Sequence, residues 1–299
     1  MGQDLAMAFT QARLLYEEAD QVLGYPLSAL CFEGPAEVLN DTIHTQPAIF
    51  VTSLAVMRVL EADGRLQPPA MVAPSMVAGH SLGELAALVA AGAMDFGAGL
   101  RLVRERGRLM KLAGEQNPGG MAAVLKMDDA DVEKACREAA DEIAKPVQIA
   151  NYNSPGQVVI SGDSEALARA TELLRERGGR RIIPLAVSIA AHSPLMASVV
   201  EEYRAAVDNT PMREPQLQVV ANISARPLLG VDEIRDELAG QLTWPVRWTS
   251  SMKWMVGQGV TRFVELGPGQ VLSKLMQRIE PTVEAVSVGS LASIEALAQ

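Results

Sequence analysis

Residues 79–83 read Gly-His-Ser-Leu-Gly, a pattern that places a serine between two glycines. An apolar run at residues 75–78 predicts a buried strand before it, and the periodicity of residues 82–91 predicts a helix after it. A strand, a turn and a helix are the setting of a nucleophile elbow, in which the glycines avoid Cβ clashes and the serine hydroxyl stands above the sheet. A structural turn with the same letters is the alternative. We predict that Ser81 holds an acyl group as an ester and that the backbone N–H of Leu82 stabilises the oxyanion.

A serine hydroxyl needs a base to become a nucleophile, and the chain has three histidines. His80 adjoins the serine on a tight turn, so its ring should point away from the hydroxyl and pack around the site. His44 precedes the predicted cap of a helix and is interpreted as structural. His192 lies between a predicted strand and a predicted helix. We therefore predict His192 as the general base.

The elements that must position these residues are mostly helices in the first part of the chain. Apart from the helix after Ser81, they are predicted at residues 6–23, 45–60 and 96–113, the second capped by Thr45 with Pro47 in its first turn, and a turn-rich connector is expected at residues 64–74. Residues 121–187 then run strand, helix, strand, strand, helix, strand, which is the order of a ferredoxin-like unit.

The chain beyond residue 187 returns to alternating elements. Helices are predicted at residues 193–207 and 231–242, strands at 217–220 and 262–265, and a last long helix after residue 269. The fold class is therefore predicted to be α/β. Residues 1–119 and 188–299 are expected to form a large domain, into which a ferredoxin-like subdomain at residues 120–187 is inserted.

Composition excludes several classes of protein. The 299 residues carry a formal net charge of −10, which argues against a general nucleic-acid surface. The apolar run at residues 47–56 is too short for a membrane span, and no signal peptide is recognisable at the start. Cys31 and Cys136 lie far apart, without metal-ligand spacing, and are interpreted as core residues. A cytoplasmic, monomeric protein without nucleic-acid or membrane partners is expected.

Several further motifs resemble those of the malonyl-CoA:acyl carrier protein transacylases. They stand in the same order along nearly the whole chain, at residues 79–84, 106–107, 153–158, 192–196, 241–248 and 265–269. The resemblance includes free-standing enzymes of fatty-acid synthesis and the acyltransferase domains of polyketide synthases. It implies a large α/β-hydrolase-like domain with a ferredoxin-like subdomain.

The resemblance also implies residue roles. Ser81 matches the acylated nucleophile and His192 its base, and the backbone carbonyl of Gln241 matches the group that orients the histidine. Arg106 is similar to the arginine that pairs with the free carboxylate of malonate, which a planar guanidinium binds through two hydrogen bonds. His80 and Met121 are assigned to the substrate-binding set. A solvated helix arginine is the alternative for Arg106.

The implied reaction has two half-reactions and requires no metal or redox cofactor. Ser81 takes the malonyl group from malonyl-CoA, and the phosphopantetheine thiol of acyl carrier protein then takes it from Ser81. Small residues before the base, Ala190 and Ala191, need not reject a methyl group, so malonyl is expected and methylmalonyl stays open. Because carrier proteins are acidic, Arg180 and Arg181 are candidates for the docking surface.

The start of the sequence departs from the family pattern. Residues 1–6 align just after a strand and a Gly-Gln-Gly-Ser-Gln loop, whose last glutamine supplies a second oxyanion donor in the family. Gln3 lacks the surrounding glycines and is not that residue. We expect a start upstream of Met1 rather than loss of catalysis. In the sequence as given, Leu82 is expected to supply the single oxyanion donor, at a cost in rate of about a hundredfold to a thousandfold.

Three other functions remain open. A serine thioesterase or esterase would need the order serine, acid, histidine, with the histidine near the end of the chain. A non-catalytic subunit would keep the fold without the activity. The malonyl transferase component of malonate decarboxylase would perform the same first half-reaction and load a different carrier.

Overall fold

The structure is a computed structural model, and it describes residues 1–66, 74–187 and 189–297. The predicted connector at residues 64–74 lies largely outside the described residues. So does Ser188, where the predicted second part of the large domain begins.

Helices make up most of the described chain. They are α1 (Gln3–Ala8), α2 (Thr10–Leu23), α3 (Leu27–Glu33), α4 (Ala36–Leu39), α5 (Thr42–Ala62), α6 (Gly83–Ala90), α7 (Phe96–Gln116), α8 (Asp129–Ile143), α9 (Ser164–Glu176), α10 (Val200–Asp208), α11 (Val231–Gly240), α12 (Trp248–Gly257), α13 (Val271–Ile279) and α14 (Leu291–Ala296), with a 3-10 helix at Pro194–Val199 before α10. The strands are β1 (Met76–Ala78), β2 (Gly119–Leu125), β3 (Val147–Ser154), β4 (Gln157–Asp163), β5 (Arg181–Pro184), β6 (Gln218–Val220), β7 (Arg262–Leu266) and β8 (Glu284–Val288).

Four of the strands form an antiparallel sheet in the order β3-β4-β2-β5. Its register places Ala123 of β2 between Val159 of β4 and Ile183 of β5. Helices α8 and α9 are capped by Asp128 and Asp163, whose carboxylates accept hydrogen bonds from the first turns. Both helices pack on this sheet around a core of their own. The chain order strand, helix, strand, strand, helix, strand is the one expected of a ferredoxin-like unit; the division of the chain into domains stays a prediction.

The remaining described strands form two parallel pairs. Strand β1 pairs with β6, so that Ala78 lies opposite Val220, and β7 pairs with β8. Residues of β1 and of β7 line the same cavity of about 680 Å³, which reaches Ser81. Together with the helices around them, these parallel pairs and the antiparallel sheet give a mixed α/β fold, as the sequence predicts.

Some predicted elements are wrong in their bounds. The helix predicted at residues 6–23 is two helices, because Phe9 has an extended backbone with φ −126° and ψ 122°. Helix α5 begins at Thr42 under an Asp41 cap, so Thr45 is not the cap and Pro47 lies inside the helix. The last long helix is α13, with nine residues, and strand β8 and helix α14 follow it.

Helix α5 has the length and composition of a membrane span, with 21 residues. It is the only such helix in the described part of the chain, and 67% of its most apolar window is buried inside the structure. It packs on α2 and α7, and Phe50 stacks on Phe96 at 5.9 Å between ring centroids. These contacts are those of a core helix, and α5 and α7 together support one wall of the site described below.

Candidate active site

Ser81 lies on the turn between β1 and α6 with a strained backbone. Its φ angle is +52°, a left-handed value that is rare for a residue with a side chain. Gly79 permits the turn, because a Cβ there would lie 1.9 Å from the backbone of Gly83. The expectation that both glycines avoid such a clash is wrong for Gly83, where a Cβ would meet nothing within 4 Å.

The amide of Asn222 holds this turn. Its Oδ1 accepts a hydrogen bond from the backbone N–H of Ser81 at 2.7 Å, and its Nδ2 donates to the carbonyl of Gly79 at 2.7 Å. Asn222 lies two residues beyond β6, the strand that pairs with β1. The side chain therefore continues the pairing of the two strands across the strained turn. Sequence reasoning missed Asn222; the available signal was an asparagine just past a predicted strand.

Ser81 Oγ and His192 Nε2 lie 2.8 Å apart. The Nδ1 of His192 lies 2.7 Å from the carbonyl oxygen of Gln241 and 3.2 Å from that of Trp244. Because carbonyl oxygens only accept hydrogen bonds, the proton belongs on Nδ1, and the lone pair on Nε2 faces the serine hydroxyl. The geometry is that of a nucleophile and its base, oriented by main-chain oxygens rather than by a carboxylate. The approach of Trp244 was not predicted.

His192 is 3% exposed, and its φ angle is +56°, so both members of the pair have left-handed backbones. Burial, followed by the positive charge of Arg106, lowers the pKa of His192 to about 3. The imidazole is therefore neutral at neutral pH, which is the form that can accept a proton.

Arg106 projects from α7 to the same point. Its NH2 group donates to Ser81 Oγ at 3.0 Å and to the side-chain oxygen of Gln241 at 2.8 Å. Its NH1 group donates to the side-chain oxygen of Gln46, on α5, at 2.6 Å. Gln46 was not predicted, because the packing of α5 on α7 is what brings it to the arginine.

The guanidinium of Arg106 is buried with neutral partners. Its side chain is 1% exposed, and burial lowers its pKa. Among the described residues it forms no ion pair within 4 Å, and its Nε has no hydrogen-bond partner. A buried positive charge that lacks a carboxylate beside it is suited to an anionic ligand.

The structure also places the other predicted site residues, His80, Leu82 and Met121, relative to Ser81, His192 and Arg106. His80 turns its Nε2 to Asn153 Oδ1 at 2.8 Å and packs on Trp248 at 5.5 Å between ring centroids, so its ring is directed away from the serine hydroxyl. Leu82 is the cap of α6, and its backbone N–H donates to no acceptor within the described ranges. Met121, on β2, is buried and has no hydrogen bond to this group of residues. A substrate contact by Met121 stays a prediction.

Two residues that were set aside in the sequence lie outside the centre. The Nδ1 of His44 lies 3.4 Å from the hydroxyl of Tyr25. Gln3 is exposed in the first turn of α1 and is not among the hydrogen-bond partners of Ser81.

Comparisons with known proteins agree with this geometry. The family model described as the acyl transferase domain matches residues 1–294. The chain is 41% identical to the malonyl CoA-acyl carrier protein transacylase of Escherichia coli over 297 residues, which are 99% of this chain and 93% of that protein. It is 39% identical to the transacylase of the same name from Bacillus subtilis over 295 residues, covering 99% of this chain and 90% of that one.

Solved structures give the same result. An acyl carrier protein S-malonyltransferase from Vibrio cholerae superposes with a TM-score of 0.93 at 40% identity, covering 99% of this chain and 94% of that chain. A malonyl-transacylase in complex with its type II polyketide synthase acyl carrier protein superposes with a TM-score of 0.94 at 40% identity, again over 99% and 94% of the two chains.

Proposed function

We propose that this chain, which belongs to the acyl transferase family, transfers a malonyl group from coenzyme A to the phosphopantetheine thiol of acyl carrier protein. The observation that carries the proposal is the position of Arg106. Its guanidinium lies 3.0 Å from Ser81 Oγ without a carboxylate partner among the described residues. An acyl group held on Ser81 that ends in a carboxylate can therefore meet a buried positive charge.

In the first half-reaction, Ser81 Oγ attacks the thioester carbonyl of malonyl-CoA while His192 Nε2 takes the hydroxyl proton. The carbonyl electrons move to the oxygen, and we assign the N–H of Leu82 as a donor to that oxyanion. The tetrahedral intermediate then collapses: the C–S bond breaks, and His192 returns the proton to the leaving thiolate of coenzyme A. A malonyl-serine ester remains.

The second half-reaction reverses these roles with a different thiol. The phosphopantetheine thiol gives its proton to His192 and attacks the ester, and Ser81 recovers the proton as the C–O bond breaks. Gln241 serves both steps, because its carbonyl fixes the Nδ1 proton of His192 and its side-chain oxygen fixes Arg106. No atom changes its oxidation state in this cycle, and His192 carries the proton in both steps, so we propose that it requires no metal or redox cofactor.

The acyl preference is proposed to be malonyl. Ala190 and Ala191, which precede the base, are buried, with 0% and 7% exposure. Their short side chains leave space for an added methyl group, so methylmalonyl-CoA is proposed as a further substrate. The chain is further proposed to act as a cytoplasmic monomer, which light scattering on a sizing column tests directly for the oligomeric state.

Intact mass after incubation with malonyl-CoA tests the proposal. The expected product is an adduct of one malonyl group that Ser81→Ala does not form and that moves to acyl carrier protein when this is added. Acetyl-CoA and methylmalonyl-CoA in parallel measure the preference for the carboxylate and for the methyl group. Rapid release of coenzyme A without an adduct would identify a thioesterase instead, and a folded protein that does not react would identify a non-catalytic subunit.

The malonyl transferase component of malonate decarboxylase would also form the adduct. It is separated by the second step, since its ester would move to a dedicated carrier and not to the carrier protein of fatty-acid or polyketide synthesis. The orientation of His192 by carbonyl oxygens rather than by an acid disfavours the serine, acid, histidine arrangement of the esterases.

A further inference from the structure

Glu84 is a completely buried acid in the first turn of α6, with 0% exposure. Burial and the neighbouring Glu237 raise its pKa, while hydrogen bonds from Asn222 and Gln241 favour the ionised form. It belongs to no ion pair within 4 Å among the described residues. Its Oε1 accepts a hydrogen bond from the backbone N–H of Asn222 at 2.9 Å, and its Oε2 accepts one from Nε2 of Gln241. A buried acid costs free energy unless its oxygens are satisfied, so these two contacts define its environment.

Each of the two partners of Glu84 holds one half of the reacting pair. Asn222 binds the backbone on both sides of the elbow, at Gly79 and Ser81. Gln241 orients His192 through its carbonyl and contacts Arg106 and the Ser81 carbonyl through its side chain, at 2.8 Å and 3.2 Å. The nucleophile and the base come from segments 111 residues apart in the chain, and Glu84 is bonded to the residue that fixes each of them.

The orientation of the Gln241 amide depends on the same carboxylate. Arg106 offers only donors, so the amide must turn its oxygen to Arg106 and its NH2 group to an acceptor. Glu84 supplies that acceptor, together with the carbonyl of Ser81 at 3.2 Å. An uncharged donor at position 84 would confront the NH2 group of Gln241 or the N–H of Asn222, and turning the Gln241 amide would bring two donors together at Arg106.

We propose that Glu84 is a positioning residue, which fixes the nucleophile relative to the base by binding Asn222 and Gln241 at the same time. The inference rests on the proposed function only in that Ser81 acts as a nucleophile and His192 as its base. Glu84 does not touch the substrate, and its effect is on the distance and alignment of Ser81 Oγ and His192 Nε2.

The test is the rate at which diisopropyl fluorophosphate labels Ser81 in the full chain, followed by intact mass. In this reaction the Oγ–P bond forms, fluoride leaves, and His192 takes the hydroxyl proton. Because neither malonyl-CoA nor carrier protein takes part, a protein that fails to transfer malonyl groups still reports on the pair. Ser81→Ala gives the background.

Glu84→Gln keeps the size of the side chain and is expected to slow labelling about tenfold to a hundredfold, since small misplacements of reacting groups have effects of this order. Glu237→Gln is the matched control. Glu237 is also a buried acid, and its carboxyl group accepts a hydrogen bond from the N–H of Ile223 at 2.7 Å and lies beside the N–H of Asn222. It contacts Gln241 only through the backbone, where its carbonyl accepts from the Gln241 N–H at 2.9 Å, a bond that the substitution leaves in place. The labelling rate of Glu237→Gln is therefore expected within twofold of the unmodified chain.

The exchange Glu84→Gln with Gln241→Glu separates positioning from general stability. The amide at position 84 can donate to a carboxylate at 241 and still accept from Asn222, while that carboxylate accepts from Arg106. Labelling is expected to be faster than in Glu84→Gln alone but slower than in the unmodified chain, because the carboxylate at 241 cannot donate to the Ser81 carbonyl as the Gln241 amide does. If Glu84→Gln alone does not fold, the exchange variant is compared with Gln241→Glu alone, in which two carboxyl groups face each other. Unchanged labelling in Glu84→Gln, an equal loss in Glu237→Gln, or a folded exchange variant no faster than the single variant would each overturn the proposal.

Discussion

Helix α7 carries arginines in two contrasting environments, one on its inner face and one on its outer face. Arg106 is 1% exposed, and its hydrogen-bond partners are two amide oxygens and a serine hydroxyl. Arg108 is 43% exposed in its side chain and forms ion pairs with Glu105, at 2.6 Å, and with Glu202. Those carboxylates raise the pKa of Arg108, whereas burial lowers the pKa of Arg106.

The difference shows where the chain keeps a charge available for a ligand. At the surface, Arg108 already has acids beside it, and such pairs contribute little to stability because water screens them. Inside, the neutral partners of Arg106 accept hydrogen bonds from its two terminal NH2 groups without cancelling its charge. A carboxylate that enters therefore gains the whole interaction, which a residue already paired with an acid could not offer.

Among substitutions around Ser81, loss of the base His192 should reduce the rate of acylation most. His192→Ala removes the acceptor for the Ser81 proton, so acylation by malonyl-CoA should fall by about three orders of magnitude. Quenched-flow detection of the malonyl adduct measures it. The outer region supplies the control in Glu202→Gln, for which the rate should not change. A loss of less than about tenfold in His192→Ala would show that another group serves as the base.

Substitution of the two arginines tests the contrast directly. Arg106→Ala should reduce the preference for malonyl-CoA over acetyl-CoA by about a hundredfold, because a buried guanidinium–carboxylate pair is lost. Arg108→Ala, on the same helix, should leave the preference within twofold. Competition between the two thioesters for Ser81 gives the ratio in one experiment. Equal effects in both variants would contradict the distinction between the two faces.

The positive charge of Arg106 should also affect the pH dependence of the reaction, because it lowers the pKa of His192. The base acts in its neutral form, and the pKa of His192 is lowered to about 3 from an ordinary value of 6.5. As the pH falls from 8 to 5, labelling of Ser81 by diisopropyl fluorophosphate should therefore stay constant, and it should decline only below that range. Arg106→Ala removes a positive neighbour, so its decline should begin at a higher pH. A midpoint near 6.5 in the unmodified chain would be incompatible with a buried, neutral His192.

Substitutions in the surface ion pairs of helices α8 and α9 should have the smallest effect on stability and on acylation. Arg169 pairs with Glu142 at 2.6 Å and with Glu172 at 3.2 Å, all on the exposed faces of α8 and α9. Arg169→Ala should leave the midpoint of urea denaturation almost unchanged and should not change acylation, because water screens exposed ion pairs. A large fall in that midpoint would mean that the outer charges are not a screened surface network.

Much of the site could be predicted from local sequence. The elbow around Ser81 is contiguous, so its strand, turn and helix are visible in one window of residues. The family resemblance and the α/β class are confirmed by the comparisons. His192 was selected because two other histidines could be set aside, and the structure places it against Ser81.

The supporting residues could not be predicted in this way. Gln46 and Asn222 reach the site from different elements, and each is ordinary in its own sequence window. Glu84 belongs to the motif at residues 79–84, but the motif does not indicate which residues its side chain binds. Their roles arise from long-range packing, such as that of α5 on α7, which no local pattern encodes. The break at Phe9 has the same origin: the apolar periodicity continues through it, while the backbone turns to pack α1 and α2 separately.

The positive φ angles of Ser81 and His192 restrict how this site can change by mutation. Backbones in that region favour glycine, asparagine and aspartate, and they penalise branched side chains by about 1–3 kcal/mol. A threonine at position 81, which would also offer a hydroxyl, would add a Cβ branch to a backbone that disfavours it. Exchange of the nucleophile for threonine thus has a cost in folding before it has one in catalysis.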